Sequence, residues 1–187
     1  MTTAATDLLA AVRDYQPRSA VEAEDVERLR HIAVSGDPWT RAAPLHATGS
    51  AVVVHPPTKR VLLRWHARMQ SWLQVGGHAD PGETHPYDVA LREAREETGL
   101  TDLVPWPDPT RPSVVQVAVV PVPAGKGEPA HQHADVRYLF ATQSPDAISA
   151  EDDVARLAWL TIPEAIDRIA EDNLQECLLC IAALFDR

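Results

Sequence analysis

The sequence predicts an α/β protein: an α/β/α sandwich around a mixed β-sheet. Three observations point there. Gly77 to Leu100 reads as a glycine turn running into an amphipathic helix, strand-like stretches lie on both sides of it, and helical periodicity returns at both ends of the chain. Strands interleaved with helices around one apolar core is the layered α/β plan. At 187 residues the chain has room for one domain, or one domain with an appendage.

In chain order, Asp7 to Tyr15 and Val21 to Val34 show helical spacing, the second stretch opened by Ser19 and closed by Gly36. Asp37-Pro38-Trp39 breaks the pattern. Residues 1–45 therefore read as a helical extension ahead of a main domain at 46–187, either packed on that domain or serving as the arm of a homodimer. From His46 the character is β: Ala47 to Val54, a turn at His55-Pro56-Pro57-Thr58, then Arg60 to Trp65. Trp72 to Val75 leads into Gly76-Gly77. Beyond the central helix, Val104 to Pro112 is proline-rich and reads as loop, and Val114 to Val122 as a buried strand. Pro123 to Pro129 is a polar loop of the kind that carries function. A strand through His131 to Phe140 follows, then the acidic turn Glu151-Asp152-Asp153, a strand from Ala155 to Thr161, a helix opened by Ile162-Pro163-Glu164, and a last helix from Asn173 to Phe185.

Composition narrows the class. The formal charge is −10, from 27 acidic and 17 basic residues, which argues against a broad nucleic-acid or anionic-membrane surface. No apolar run approaches the ~20 residues of a membrane span. The first residues lack the basic-then-apolar order of a signal peptide, so a cytoplasmic protein is expected. Cys177 and Cys180 lie at i, i+3 in an apolar run with no second pair, which favours burial as small hydrophobes over a redox or zinc site.

The central stretch carries the chemistry. Pro86 suits a first helical turn, Asp88 favours the positive end of the dipole, and Gly99 supplies the stop. Tyr87, Ala90, Leu91, Ala94 and Thr98 recur at the spacing of a buried face. At about 100° per residue, Glu93, Glu96 and Glu97 fall in an arc of roughly 100°, largely away from that face. Like charges so spaced weaken a helix by a few tenths of a kcal/mol per pair, so the cluster calls for a cation. Oxygen ligands suit Mg²⁺ or Mn²⁺, and Arg92 can brace Glu96 at i+4. The bland alternative is a solvated acidic helix face.

These residues resemble the Nudix hydrolase signature, G-x5-E-x7-R-E-U-x-E-E-x-G-U with U aliphatic. Gly77-x5-Glu83 fits, and Arg92-Glu93-Ala94-Arg95-Glu96-Glu97-Thr98-Gly99-Leu100 fits with Ala94 as a small U. The spacer departs: eight residues separate Glu83 from Arg92 instead of seven, and the extra one is assigned to Thr84-His85, ahead of Pro86. That departure puts the placement of Glu83 in question and leaves the helix untouched. The resemblance implies the Nudix fold and divalent-metal-dependent hydrolysis of a pyrophosphate linkage in a nucleoside diphosphate joined to another group. It implies Glu96 and Glu97 as metal ligands, Glu93 as ligand or base, a backbone carbonyl at Gly77, Glu83 as support for the metal shell, and Arg92 as a brace. For the base drawn from a downstream loop, the candidates are Glu128 and Glu151.

Two rivals remain. An isopentenyl-diphosphate-type isomerase shares the fold but needs a cysteine, and none precedes Cys177. A non-catalytic nucleotide-metabolite sensor is encouraged only by the altered spacer. RNA decapping is disfavoured by charge, and the ADP-ribose, dinucleoside polyphosphate and coenzyme A motifs are not found cleanly. Last, His131, His133 and Asp135 share a strand face if the strand begins early, with Arg137 on the same alternation. They read as substrate contacts, as a second metal set, or as the polar side of a half-exposed strand.

Overall fold

A computed structural model of the chain describes residues 2–125, 127–151 and 155–185. The chain forms two compact units whose segments alternate along the sequence: Met1–Ser50, Gly76–Ala90 and Val114–Tyr138 in one, Ala51–Val75, Leu91–Ser113 and Leu139–Arg187 in the other. Both are α/β, and the expected mixture of sheet and flanking helices holds.

The first unit opens with two helices, α1 (Thr3–Ala11) and α2 (Ala20–Ser35). Ser19 caps α2 by accepting from the Glu22 N–H, as its sequence predicts. Helix α1 departs from expectation. It starts at Thr3 because the Thr2 hydroxyl accepts from the Ala5 N–H at 3.2 Å, and it is over before Tyr15. Tyr15 and the residues after it serve instead to fasten the pair to the sheet.

Strand β1 (Leu45–His55) enters here, β4 (Val75–Gly77) pairs with it, and β6 (Val114–Val122) pairs antiparallel with β7 (His131–Ala141). The β6 register slips between Val114 and Gln116. A bulge of this kind frees a backbone group. The carbonyl of Val115 accepts from Arg18 Nη1 at 2.5 Å, and Asp25 accepts from the Val119 N–H at 2.9 Å. The helical extension thus lies on β6.

Strands β1 and β7 are neighbours. In this unit the Gln132 N–H reaches the Pro44 carbonyl at 2.8 Å, while Thr48 and Ser50 reach Asp135. Both strands advance together, so they are parallel, whereas β7 runs antiparallel to β6. The approach of β1 to the start of helix α3 (Pro86–Thr98) depends on Gly49: a Cβ there would lie 2.6 Å from the Pro86 carbonyl oxygen.

The second unit takes the end of β1, then β2 (Arg60–His66), β3 (Ser71–Leu73), β5 (Val104–Pro105) and β8 (Leu157–Thr161), with α4 (Ile162–Ile166) and α5 (Asp172–Ala182). Strand β2 pairs antiparallel with β1, β3 and β8. The proline-rich stretch expected to be loop contains the two residues of β5, paired with Phe140 and Ala141. Strand β8 begins at Leu157 rather than Ala155, and the expected turn at Asp152 and Asp153 lies outside the described residues. Cys177 is buried in α5, as its apolar flanks require, Cys180 is half-buried, and neither takes part in a disulfide among the described residues. Among the described residues no helix is long and apolar enough to cross a membrane.

Candidate active site

Helix α3 begins at Pro86, so Thr84 and His85 lie in the turn before it. Both are employed. The Thr84 hydroxyl donates to Asp7 at 2.5 Å, and His85 caps the helix. Its Nδ1 accepts from the Tyr87 N–H at 3.2 Å, and its carbonyl accepts from Asp88 and Val89 at 3.1 and 3.3 Å. The extra residue of the spacer is absorbed as a helix cap. Deleting His85 is therefore expected to lower stability by about 1 kcal/mol, the usual worth of a cap. Turnover should stay within about tenfold, roughly 1.4 kcal/mol of barrier. Thermal melts and steady-state rates check both, and complete loss of turnover would show the longer spacer to be built into the site.

At the far end Gly99 takes φ +70 and its N–H closes on the Arg95 carbonyl at 2.9 Å, the left-handed stop that the sequence predicts. The buried stripe of α3 differs from expectation. Val89, Ala90, Ala94, Glu97 and Thr98 are buried, whereas Tyr87 and Leu91 are only half-buried. The stripe is turned toward Glu97, so that this carboxylate does not lie away from the buried face.

The three helix glutamates consequently occupy different environments. Arg92 Nη1 sits between Glu93 (3.1 Å) and Glu96 (2.8 Å), the brace expected at i+4 and one more besides. Glu96 stays exposed and Glu93 is mostly covered. Glu97 is paired with Arg64 of β2 at 3.0 Å, and the same guanidinium reaches Glu151 at 3.5 Å. Two guanidinium groups thus neutralise the carboxylates. A divalent cation would do the same for an oxygen-only donor set, and hard ions such as Mg²⁺ match it. Glu83 is held by its own loop, accepting from the Asp80 N–H at 2.8 Å. Gly77 closes β4, and the preceding Gly76 is required by space: a Cβ would fall 2.4 Å from the Ser50 hydroxyl.

Of the two candidate bases, Glu151 stands on the arginine that holds Glu97, while Glu128 pairs with Arg41 at 2.9 Å. The Arg41–Glu128 pair belongs to the first unit, where its charges act on the histidines His46 and His78.

Strand β7 does start at His131, so His131, His133, Asp135 and Arg137 alternate along it, but they do not act together. Asp135 and Arg137 are buried, 3% and 2% exposed, which corrects their reading as substrate contacts. Asp135 accepts from Thr48 (2.9 Å), Ser50 (2.7 Å) and Arg137 Nε (3.0 Å), and Arg137 also donates to Gln116. Nor is this the polar side of a half-exposed strand, because every residue from Ala134 to Ala141 is buried.

His131 and His133 turn instead toward His46 and His78, which the sequence alone did not single out. Their Nε2 atoms are 3.1 Å apart, and those of His46 and His78 3.0 Å. Burial lowers the basicity of His46, His78 and His133. His46 is shifted down, His78 to about 4 with Arg41 and His46 adding to the effect, and His133 to about 3 with His78 and His46 adding to it.

Comparison with known proteins bears on the family and the fold. Residues 45–178 match the NUDIX domain. The 8-oxo-(d)GTP phosphatase of Mycolicibacterium smegmatis is 30% identical over 115 residues, 62% of this chain but only 31% of that protein, so the chain spans about a third of the relative's length. Among solved structures, the C. elegans Ap4A hydrolase superposes with a TM-score of 0.59 at 19% identity, covering 75% of this chain and 97% of that one. The E. coli dihydroneopterin triphosphate pyrophosphohydrolase gives 0.55 at 18%, covering 76% and 97%. A NUDIX-family hydrolase from Clostridium perfringens gives 0.56 at 24%, covering 75% and 96%. These likenesses establish the fold. With the box residues set on a loop and helix as the signature requires, and the domain match extending over most of the chain, the protein belongs to the Nudix hydrolase family.

Proposed function

We propose that the chain is a Mg²⁺- or Mn²⁺-dependent pyrophosphohydrolase that cleaves a nucleoside diphosphate joined to another group, acting on a free small molecule in the cytoplasm. The observation that carries this reading is the trio of glutamates on α3, each already held by a guanidinium: Glu93 and Glu96 by Arg92, Glu97 by Arg64. Glu93, Glu96 and Glu97 would hold the cation, with the Gly77 carbonyl and Glu83 added by the family signature. A bound divalent ion supplies charge neutralisation on the phosphates and activation of water. The protein's own share is positioning and electrostatics, since phosphoryl transfer asks for little else. Arg92 fixes two carboxylates at a set spacing, and Arg64 holds the mostly buried Glu97 in place at 3.0 Å. Glu151, on the same arginine, is the better-placed base, and Glu128 the alternative.

The name of the M. smegmatis relative adds oxidised guanine nucleotides to the substrates worth trying. The test is turnover of ADP-ribose, diadenosine polyphosphates, NADH, nucleotide sugars, and oxidised and normal dNTPs with Mg²⁺ or Mn²⁺. Metal-dependent cleavage of one class is expected. Tight binding of one compound without any cleavage would replace the enzyme with a nucleotide-metabolite sensor on the same fold.

A further inference from the structure

We infer that His46, His78, His131 and His133 form a binding site for a first-row transition cation, with Zn²⁺ the simplest occupant and with donors other than the box glutamates. One ring nitrogen from each of the four lies within 4.8 Å of all the others, and all four residues belong to the first compact unit. A tetrahedral ion with metal–nitrogen bonds of about 2.0 Å needs ligand atoms about 3.3 Å apart. The His46–His78 and His131–His133 pairs already stand at 3.0 and 3.1 Å. Separations of up to 4.8 Å must close by up to about 1.5 Å to complete the set, a movement within reach of side-chain torsions.

A second feature points the same way. The Nδ1 of His46 is 3.0 Å from the Ala43 carbonyl and that of His131 is 2.9 Å from the Pro129 carbonyl. A carbonyl only accepts, so Nδ1 carries the proton in both rings and their Nε2 lone pairs face the cluster. Metal-binding histidines are oriented in this way, by a backbone acceptor on the far nitrogen. The four rings also crowd face to face and edge on, with centroids 4.7 to 5.2 Å apart.

The chemistry of the donors decides the class of ion. Four neutral imidazoles suit Zn²⁺, Cu²⁺, Ni²⁺ or Fe²⁺ and are poor ligands for Mg²⁺, which takes oxygen. His46 is 1% exposed at the head of β1, whereas the other three are half-buried, which leaves a route of entry. An ion there would tie His78, the residue after Gly77, to the starts of β1 and β7 and so fix the loop that opens the box.

The experiment uses tag-free full-length protein stripped with chelator and titrated with Zn²⁺ in excess Mg²⁺, with Co²⁺ spectroscopy alongside. One Zn²⁺ per chain is expected, with Co²⁺ giving the visible bands of a four-coordinate nitrogen site and no thiolate charge-transfer band. His133→Ala should weaken Zn²⁺ binding by at least about 100-fold, the most that loss of an outer partner alone usually costs. His131→Asn, at the less buried strand start, gives the same reading if the first variant folds poorly by circular dichroism. Zn²⁺ displaced by Mg²⁺, retained at full affinity in both histidine variants, or lost on combining Glu93→Gln, Glu96→Gln and Glu97→Gln would overturn the assignment. The readout is metal content, so failure here and failure of the proposed hydrolysis are separate results.

Discussion

Glu97→Gln is expected to lower turnover by at least about 100-fold, some 2.7 kcal/mol of barrier, with the melting temperature moving only a few degrees. The two effects part because the side chain has two roles. Toward Arg64 it is an acceptor at 3.0 Å, and a glutamine keeps an oxygen in that place. Toward a divalent ion it is a charge, and the amide removes that charge from a donor set whose strength depends on it. Glu97 is also the least exposed of the three helix glutamates. Steady-state rates at saturating Mg²⁺, beside a thermal melt, read both quantities. Were Glu97 only a partner for Arg64, the glutamine variant would turn over near the wild-type rate.

What the sequence reveals and what it hides divide along physical lines. Strand β6 is found end to end, Val114 to Val122, because an apolar run long enough for one strand is bounded by Pro112 and Pro123. Helix α2 is found to within a residue because Ser19 and Gly36 are local signals, set by backbone chemistry within a few positions. Helix α1 is misplaced because Ala- and Leu-rich stretches leave periodicity ambiguous, and the cap at Thr2 decides the start. The rotation of the α3 stripe toward Glu97 is invisible in the helix alone, since Arg64 on β2 supplies the partner that lets a carboxylate be buried. The same holds for β7. Alternation correctly places His131, His133, Asp135 and Arg137 in one row, but what each meets is decided by β1 and β6. Thr48, Ser50 and Gln116 turn the second pair into an internal network, and His46 and His78 gather around the first. His78 stood in view as the residue after the first box glycine, and His46 as the residue where β character begins. Neither position carries a spacing rule that relates it to His131.

Asp135→Ala should be the most destabilising of these changes, by about 3–5 kcal/mol, the cost of breaking one side of a buried ion pair. The carboxylate accepts from Arg137 Nε at 3.0 Å and takes the hydroxyls of Thr48 and Ser50 at 2.9 and 2.7 Å. Its removal takes the carboxylate from a guanidinium at 2% exposure that also donates to the Gln116 oxygen, and leaves two hydroxyls that must find other acceptors. For a chain of this size each 1 kcal/mol is worth about 2–4 °C, so a fall of about 6–20 °C in melting temperature follows. The double change Asp135→Ala with Arg137→Met should recover much of it, because removing both charges from an apolar setting is often close to neutral. That recovery is the decisive part. A residue contacting substrate would instead leave the melting temperature alone and raise KM, and the second substitution would not restore what the first had cost.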